Sequence, residues 1–82
     1  MGSVFHTEAL TLIRHRLKGK LVMVEVYVLD CLMLAGDHYD ATLLHLQETV
    51  PHFTIVVENI RTKSVNEGLL PELEHLWSTY KC

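Results

Sequence analysis

Leu21-Val-Met-Val-Glu-Val-Tyr-Val-Leu29 is the most regular apolar stretch of the chain, and it decides the expected fold. Valine occupies every second position, and the positions between are also apolar, with the exception of Glu25. β-Branched residues at a period of two predict a strand, and two apolar faces are typical of a strand covered on both sides. Glu25 is the single charge in this stretch, so we expect it to have a charged partner or a raised pKa.

Helices are predicted around this strand. Apolar residues recur at spacings of three and four in segment 4–18, which predicts an amphipathic helix. A second helix is expected over 38–50, ending before Pro51, and a third beginning at Pro71. Segment 53–60 alternates like a second strand. The predicted order is α-β-α-β-α.

This order predicts a small α/β domain with a parallel βαβ core, since residues 21–60 have the length of a right-handed crossover. Two parallel strands make a poor sheet alone. We therefore expect residues 31–35, or a second protomer, to complete the sheet. The length of 82 residues predicts one domain spanning 1–82.

The composition of the chain makes several classes of function improbable. The chain is 49% hydrophobic and has a net charge of −3, so it is not expected to bind nucleic acid. The longest apolar run, about 15 residues, is too short to span a membrane. Without a signal peptide pattern, and with only Cys31 and Cys82 available for a disulfide, a cytoplasmic location is predicted. An apolar-rich small chain without stabilising cross-links favours a homo-oligomer or a subunit of a larger protein.

The sequence contains no strong motif of an enzyme or of a metal site. The sequence has no Gly-x-Ser-x-Gly and no glycine-rich phosphate loop, so a non-enzymatic module is favoured, although an enzyme is left open. His38 and His45 lie two turns apart on the expected helix 38–50 and fit a solvated helix face better than a ligand set. The role of the six histidines as a group is left open, and neither a metal nor another cofactor is predicted.

Cys31 supplies the alternative function. The stretch Val-Glu-Val-Tyr-Val-Leu-Asp-Cys, followed by helix 38–50 and by Phe-Thr-Ile-Val-Val, resembles the opening βαβ unit of thioredoxin-like proteins. That resemblance implies a thiol-dependent redox protein using Cys31. The segment Cys31-Leu-Met-Leu34 lacks the second cysteine of that family, and a buried, slowly reacting structural thiol is the favoured interpretation.

The leading hypothesis is therefore a protein-interaction or regulatory module that acts as a homodimer or as a subunit. Two groups of residues are candidate contact surfaces, because aromatic and large apolar side chains anchor interfaces. The first is the stripe of the last helix: Leu69, Leu73, Leu76, Trp77 and Tyr80. The second is the strand face that carries Met23 and Tyr27.

Overall fold

The computed structural model describes the backbone of residues 2–80 and the side chains of residues 7–75. Within this range the chain forms five α-helices, with a single 3-10 turn, Gly36–His38, directly before the third. The helices are α1 (Gly2–Arg16), α2 (Met23–Ala35), α3 (Tyr39–Thr49), α4 (Phe53–Asn66) and α5 (Leu70–Tyr80). No residue of the described backbone lies in a β-strand.

The predicted α/β class, with its parallel βαβ core, is therefore wrong. The expected strand at 21–29 and the undecided residues 31–35 form one continuous helix, α2. A run that is apolar on every side fits a buried strand and a buried helix equally well by periodicity. Its length discriminates between them, because the 13 residues of α2 far exceed the usual strand of about 5–6.

The N-terminus of α2 has a local cause that the strand prediction overlooked. Val22 is extended, with φ −84° and ψ 166°, and directly precedes the helix. Its backbone N–H donates to Oε1 of Glu25 over 3.1 Å. Glu25 thereby satisfies one of the backbone donors that a helix start leaves without an intrahelical acceptor. At the other end Gly36 adopts φ 55°, a left-handed conformation that ends the helix.

The second predicted strand, 53–60, lies in the first half of α4, which is also a correction. Val56, Ile60 and Ser64 are its buried residues, whereas Glu58 and Thr62, which a strand would place on the same face, are exposed. The chain turns into α4 at His52, which takes a left-handed φ of 57° after Pro51. The alternation of Phe53 to Val57 was thus a coincidence within a helical pattern.

The core lies between α2 and the helices that surround it. Helix α2 contacts α1, α3 and α4, and α5 packs against α1 and α4. The three helices expected at 4–18, 38–50 and from Pro71 correspond to α1, α3 and α5. The buried apolar cluster contains Leu10, Ile13, Leu17, Val28, Leu29, Leu32, Tyr39, Leu46, Val50, Val56, Ile60, Leu69 and Leu73.

Candidate functional site

Apart from Glu25 and Asp30, helix α2 is apolar around its circumference, yet only one side of it is covered. The buried side carries Glu25, Val28, Leu29 and Leu32. A helix that is apolar all round is ordinarily enclosed by other structure. Here the remaining side faces solvent, which makes it the most informative surface of the described chain.

We call this surface the outer face of α2 and define it by Met23, Val24, Tyr27, Cys31 and Leu34. Leu34 is 86% exposed and Met23 82% exposed, the two highest values among the large apolar side chains of the described residues. Tyr27 is 52% exposed, Val24 is also exposed, and Cys31 is partly buried at the edge of the core. At 3.6 residues per turn, Met23, Tyr27, Cys31 and Leu34 lie within about 80° of one another around the helix axis. They form one continuous apolar stripe.

Tyr27 and Cys31 lie one helical turn apart within this stripe. The pKa of Tyr27 is raised, first because its side chain hydrogen-bonds with Cys31. A negative charge on the Cys31 sulfur and the desolvation of the phenol act in the same direction. The contact with Cys31 therefore favours the neutral form of the phenol.

The position of Cys31 also corrects the alternative function. The thioredoxin-like interpretation requires a cysteine between the end of a strand and the start of a helix, whereas Cys31 lies in the interior of α2. It therefore lacks the position at a helix N-terminus that such reactive thiols occupy. Nor is it fully buried, as the structural interpretation assumed. The thioredoxin-like architecture is wrong for this chain.

An ion pair anchors the buried side of α2 to α4. Oε1 of Glu25 lies 3.0 Å from Nζ of Lys63, so the expected charged partner of this carboxylate is Lys63. Burial by itself raises the pKa of Glu25, but the hydrogen bonds from Lys63, Val22 and Asn59 outweigh it, so the net pKa is lowered. The ion pair and the helix cap keep α2 in one orientation, which fixes where the outer face points.

The other predicted contact surface has a different place in the structure. Leu69 and Leu73, of the stripe on the last helix, are buried in the core. Their apolar character is accounted for by packing within the fold. The side chains of Leu76, Trp77 and Tyr80 lie outside the described residues.

The basic cluster at the end of α1 is largely paired within the molecule. Nε of Arg14 lies 2.8 Å from the carboxylate of Asp30. Lys20 pairs with the carboxylate of Glu67, and Arg16 donates to the carbonyl of the same residue. These contacts join α1 and the following loop to α2 and to the end of α4, so the cluster has a structural use.

An open groove of about 320 Å³ lies beside this cluster, between the end of α1, the following loop and α2. Basic and apolar side chains line it, among them Arg14, His15, Lys18, Leu21, Val26 and Met33. The volume is near the lower limit for small-molecule sites. Since the Arg14 guanidinium already has a carboxylate partner, the groove is a weaker candidate than the outer face of α2.

His38 and His45 are exposed on or next to α3, two turns apart. No group of three or more His, Cys, Asp or Glu side chains in the described part of the chain is arranged to hold a metal ion.

The residues that sequence reasoning missed are Val24 and Leu34. A period of two assigned Val24 to the face opposite Met23, and it left Leu34 outside the strand. A helical period starting at Met23 instead selects positions 27, 30 or 31, and 34, and that signal was present in the sequence. Met23 and Tyr27 were singled out from the sequence and do share an exposed face.

Comparison of the chain with models of protein families, with curated proteins and with solved structures finds no match. Within the described residues no helix combines the length and the apolar character needed to cross a bilayer. Among the described residues, the outer face of α2 is the candidate functional site.

Proposed function

We propose that this domain is a non-enzymatic protein-interaction module whose binding surface is the outer face of α2. It would act as a homodimer or as a subunit of a larger protein. The observation that carries the proposal is the exposure of Met23 and Leu34 on the same side of one helix. Large apolar side chains grouped in this way mark interaction sites, because monomeric proteins rarely leave a contiguous apolar patch of several hundred Å² in water.

The contrast with other exposed apolar residues supports the outer face of α2 as the binding surface. Leu44 on α3 and Ile55 on α4 are each 57% exposed. They lie on different helices from the outer face, and single exposed apolar residues are common on protein surfaces. Among the side chains of residues 7–75, only those of α2 form an exposed stripe to which successive turns all contribute an apolar residue.

The chemistry of the outer face also suits recognition. Tyr27 offers a broad ring and a hydroxyl, a combination that is common at the energetic centres of interfaces. Met23 has a flexible thioether side chain that adapts to varied apolar partners. These groups project from a helix anchored by the Glu25–Lys63 ion pair, so little ordering of the backbone is required on binding.

We place the module in the cytoplasm. Cys31 is a free thiol in the described structure. Free thiols persist in reducing compartments, where structural disulfides are rare. A reducing environment would also preserve the contact between Cys31 and Tyr27 within the binding surface.

Site-specific photo-crosslinking in the native cells tests the proposal. A photoreactive benzoylphenylalanine replaces Leu34 in one variant and Leu44, the exposed control on α3, in another. We expect a discrete adduct from position 34, identified by mass spectrometry, and no corresponding adduct from position 44. An adduct whose yield is the same at both positions, or no adduct from position 34, would contradict the proposed function.

A further inference from the structure

We propose that the partner of the outer face of α2 is a second copy of the chain, packed so that the two α2 helices run antiparallel about a twofold axis. This inference rests on the proposed function and names its partner. Twofold dimers bury the same surface on both subunits, so the surface must be complementary to itself. The order of side chains along α2 meets that condition.

The stripe is nearly palindromic along the helix. The midpoint between Met23 and Leu34 falls between residues 28 and 29, and the midpoint between Tyr27 and Cys31 falls at residue 29. A twofold axis at that height places Met23 against Leu34 of the second copy and Tyr27 against its Cys31. Met23 then packs against the apolar Leu34, and the large ring of Tyr27 packs against the small thiol of Cys31. The two Tyr27 rings are not forced together.

The dimensions fit a helix pair. The stripe extends about 17 Å along the axis at 1.5 Å per residue, which is three turns of contact. The small Cys31 near the centre allows the axes to approach to the usual separation of about 8–10 Å. Helix α2 is not bent away from this contact by a proline or an internal glycine.

The area is sufficient for specific association. The exposed fractions of Met23, Val24, Tyr27 and Leu34 correspond to roughly 500 Å² per chain, or about 1,000 Å² for two chains, which is about the minimum for a specific interface. We expect the dimer to be present at micromolar chain concentrations.

Charge at the border of the stripe does not oppose the pairing. Asp30 adjoins the outer face, and its carboxylate is held by Arg14 of the same chain. Bringing two copies together therefore places neutral ion pairs, and not two isolated carboxylates, beside the interface. The outer face itself contains no charged side chain.

A charge-exchange experiment tests both the surface and the direction of the helices. Met23→Lys and Leu34→Glu each place a charge against an apolar side chain, and we expect each to raise the dissociation constant at least about tenfold. The double variant Met23→Lys/Leu34→Glu places opposite charges together in an antiparallel pair, twice per dimer. It should bind more tightly than either single variant. In a parallel pair the same double variant would place like charges together.

Light scattering across a dilution series gives the dissociation constants, and circular dichroism checks that each variant stays folded. The double variant Met23→Glu/Leu34→Glu should remain monomeric, and the control Leu44→Glu should dimerise like the wild type. A wild-type mass of 9.4 kDa at every concentration would overturn the inference, as would a loss of dimer in the Leu44 control alone. Failure of the charge exchange to restore binding would overturn the antiparallel arrangement. A crosslink from position 34 to a different protein, with a monomeric wild type, would overturn this inference and leave the proposed function standing.

Discussion

Glu25 and Lys63 form an ion pair across the interface between α2 and α4, with 3.0 Å between Oε1 and Nζ. The carboxylate is only 1% exposed, while the lysine side chain reaches partly into solvent. Burial favours the protonated acid, yet the hydrogen bonds from Lys63 and from the backbone of Val22 favour the carboxylate more strongly. The net pKa of Glu25 is therefore below its ordinary value of 4.5. A charge that looked anomalous in an apolar stretch thus caps one helix and ties it to another.

This lowered pKa predicts an acid-sensitive fold. A carboxylate whose pKa is lower in the folded state stabilises the protein above the unfolded value of 4.5, and that contribution is lost as pH falls through the folded pKa. Glu25→Gln should lower the free energy of unfolding at pH 7 by about 1–3 kcal/mol, because Lys63 loses its charged partner. Between pH 5 and pH 3 the free energy of unfolding should also fall less in the variant than in the wild type. Denaturant titrations at several pH values measure both effects.

Glu58→Gln is the matched control, since Glu58 is exposed on α4. We expect it to change the free energy of unfolding by less than about 0.5 kcal/mol. Equal effects of the two substitutions would show that the Glu25–Lys63 ion pair does not form as described.

Leu32 and Leu34 test the helical orientation of α2. A strand would place these two side chains on the same face, whereas α2 buries Leu32 completely and leaves Leu34 largely exposed. Leu32→Ala should cost about 2–5 kcal/mol of unfolding free energy, since it opens a cavity in the core. Leu34→Ala should cost less than about 0.5 kcal/mol at concentrations where the chain is monomeric. Similar losses for both variants would favour a strand.

Tyr27 should titrate above its ordinary pKa of 10, because its hydroxyl hydrogen-bonds with Cys31. The difference between the ultraviolet pH titrations of the wild type and Tyr27→Phe isolates this phenol from the other tyrosines. Cys31→Ala should return the pKa of Tyr27 toward 10, while Cys82→Ala should leave it unchanged. An unaltered titration in Cys31→Ala would show that the contact between the two side chains is absent in solution.

Part of the helical content could be predicted from the sequence. The amphipathic periods of α1 and α3 have polar residues on one side, so the spacing of three and four stands out against them. In α2 there is no polar side to provide that contrast. Valine at alternate positions then imitated a strand, and only the length of the run and the cap at Glu25 distinguish the two structures.

The candidate site was predicted in part for a related reason. Met23 and Tyr27 were selected as neighbours on a strand face, and they are also neighbours on a helix because they are four residues apart. Leu34 belongs to the same face only in a helix, so it could not be recognised from a strand. Leu69 and Leu73 belong to the core. They were predicted as contact residues because an apolar stripe does not reveal whether it faces its own domain or a partner.

The reactivity of Cys31 at different protein concentrations is the most direct test that α2 mediates self-association. A Cys82→Ser variant leaves Cys31 as the only thiol, so a fluorogenic maleimide reports on the outer face alone. At a chain concentration one hundred times the dissociation constant, mass action leaves less than about a tenth of the chains monomeric. The rate constant for labelling should therefore fall roughly tenfold between dilute and concentrated samples, and Leu34→Glu should abolish this decrease. A rate constant that is the same at every concentration would contradict the proposed interface.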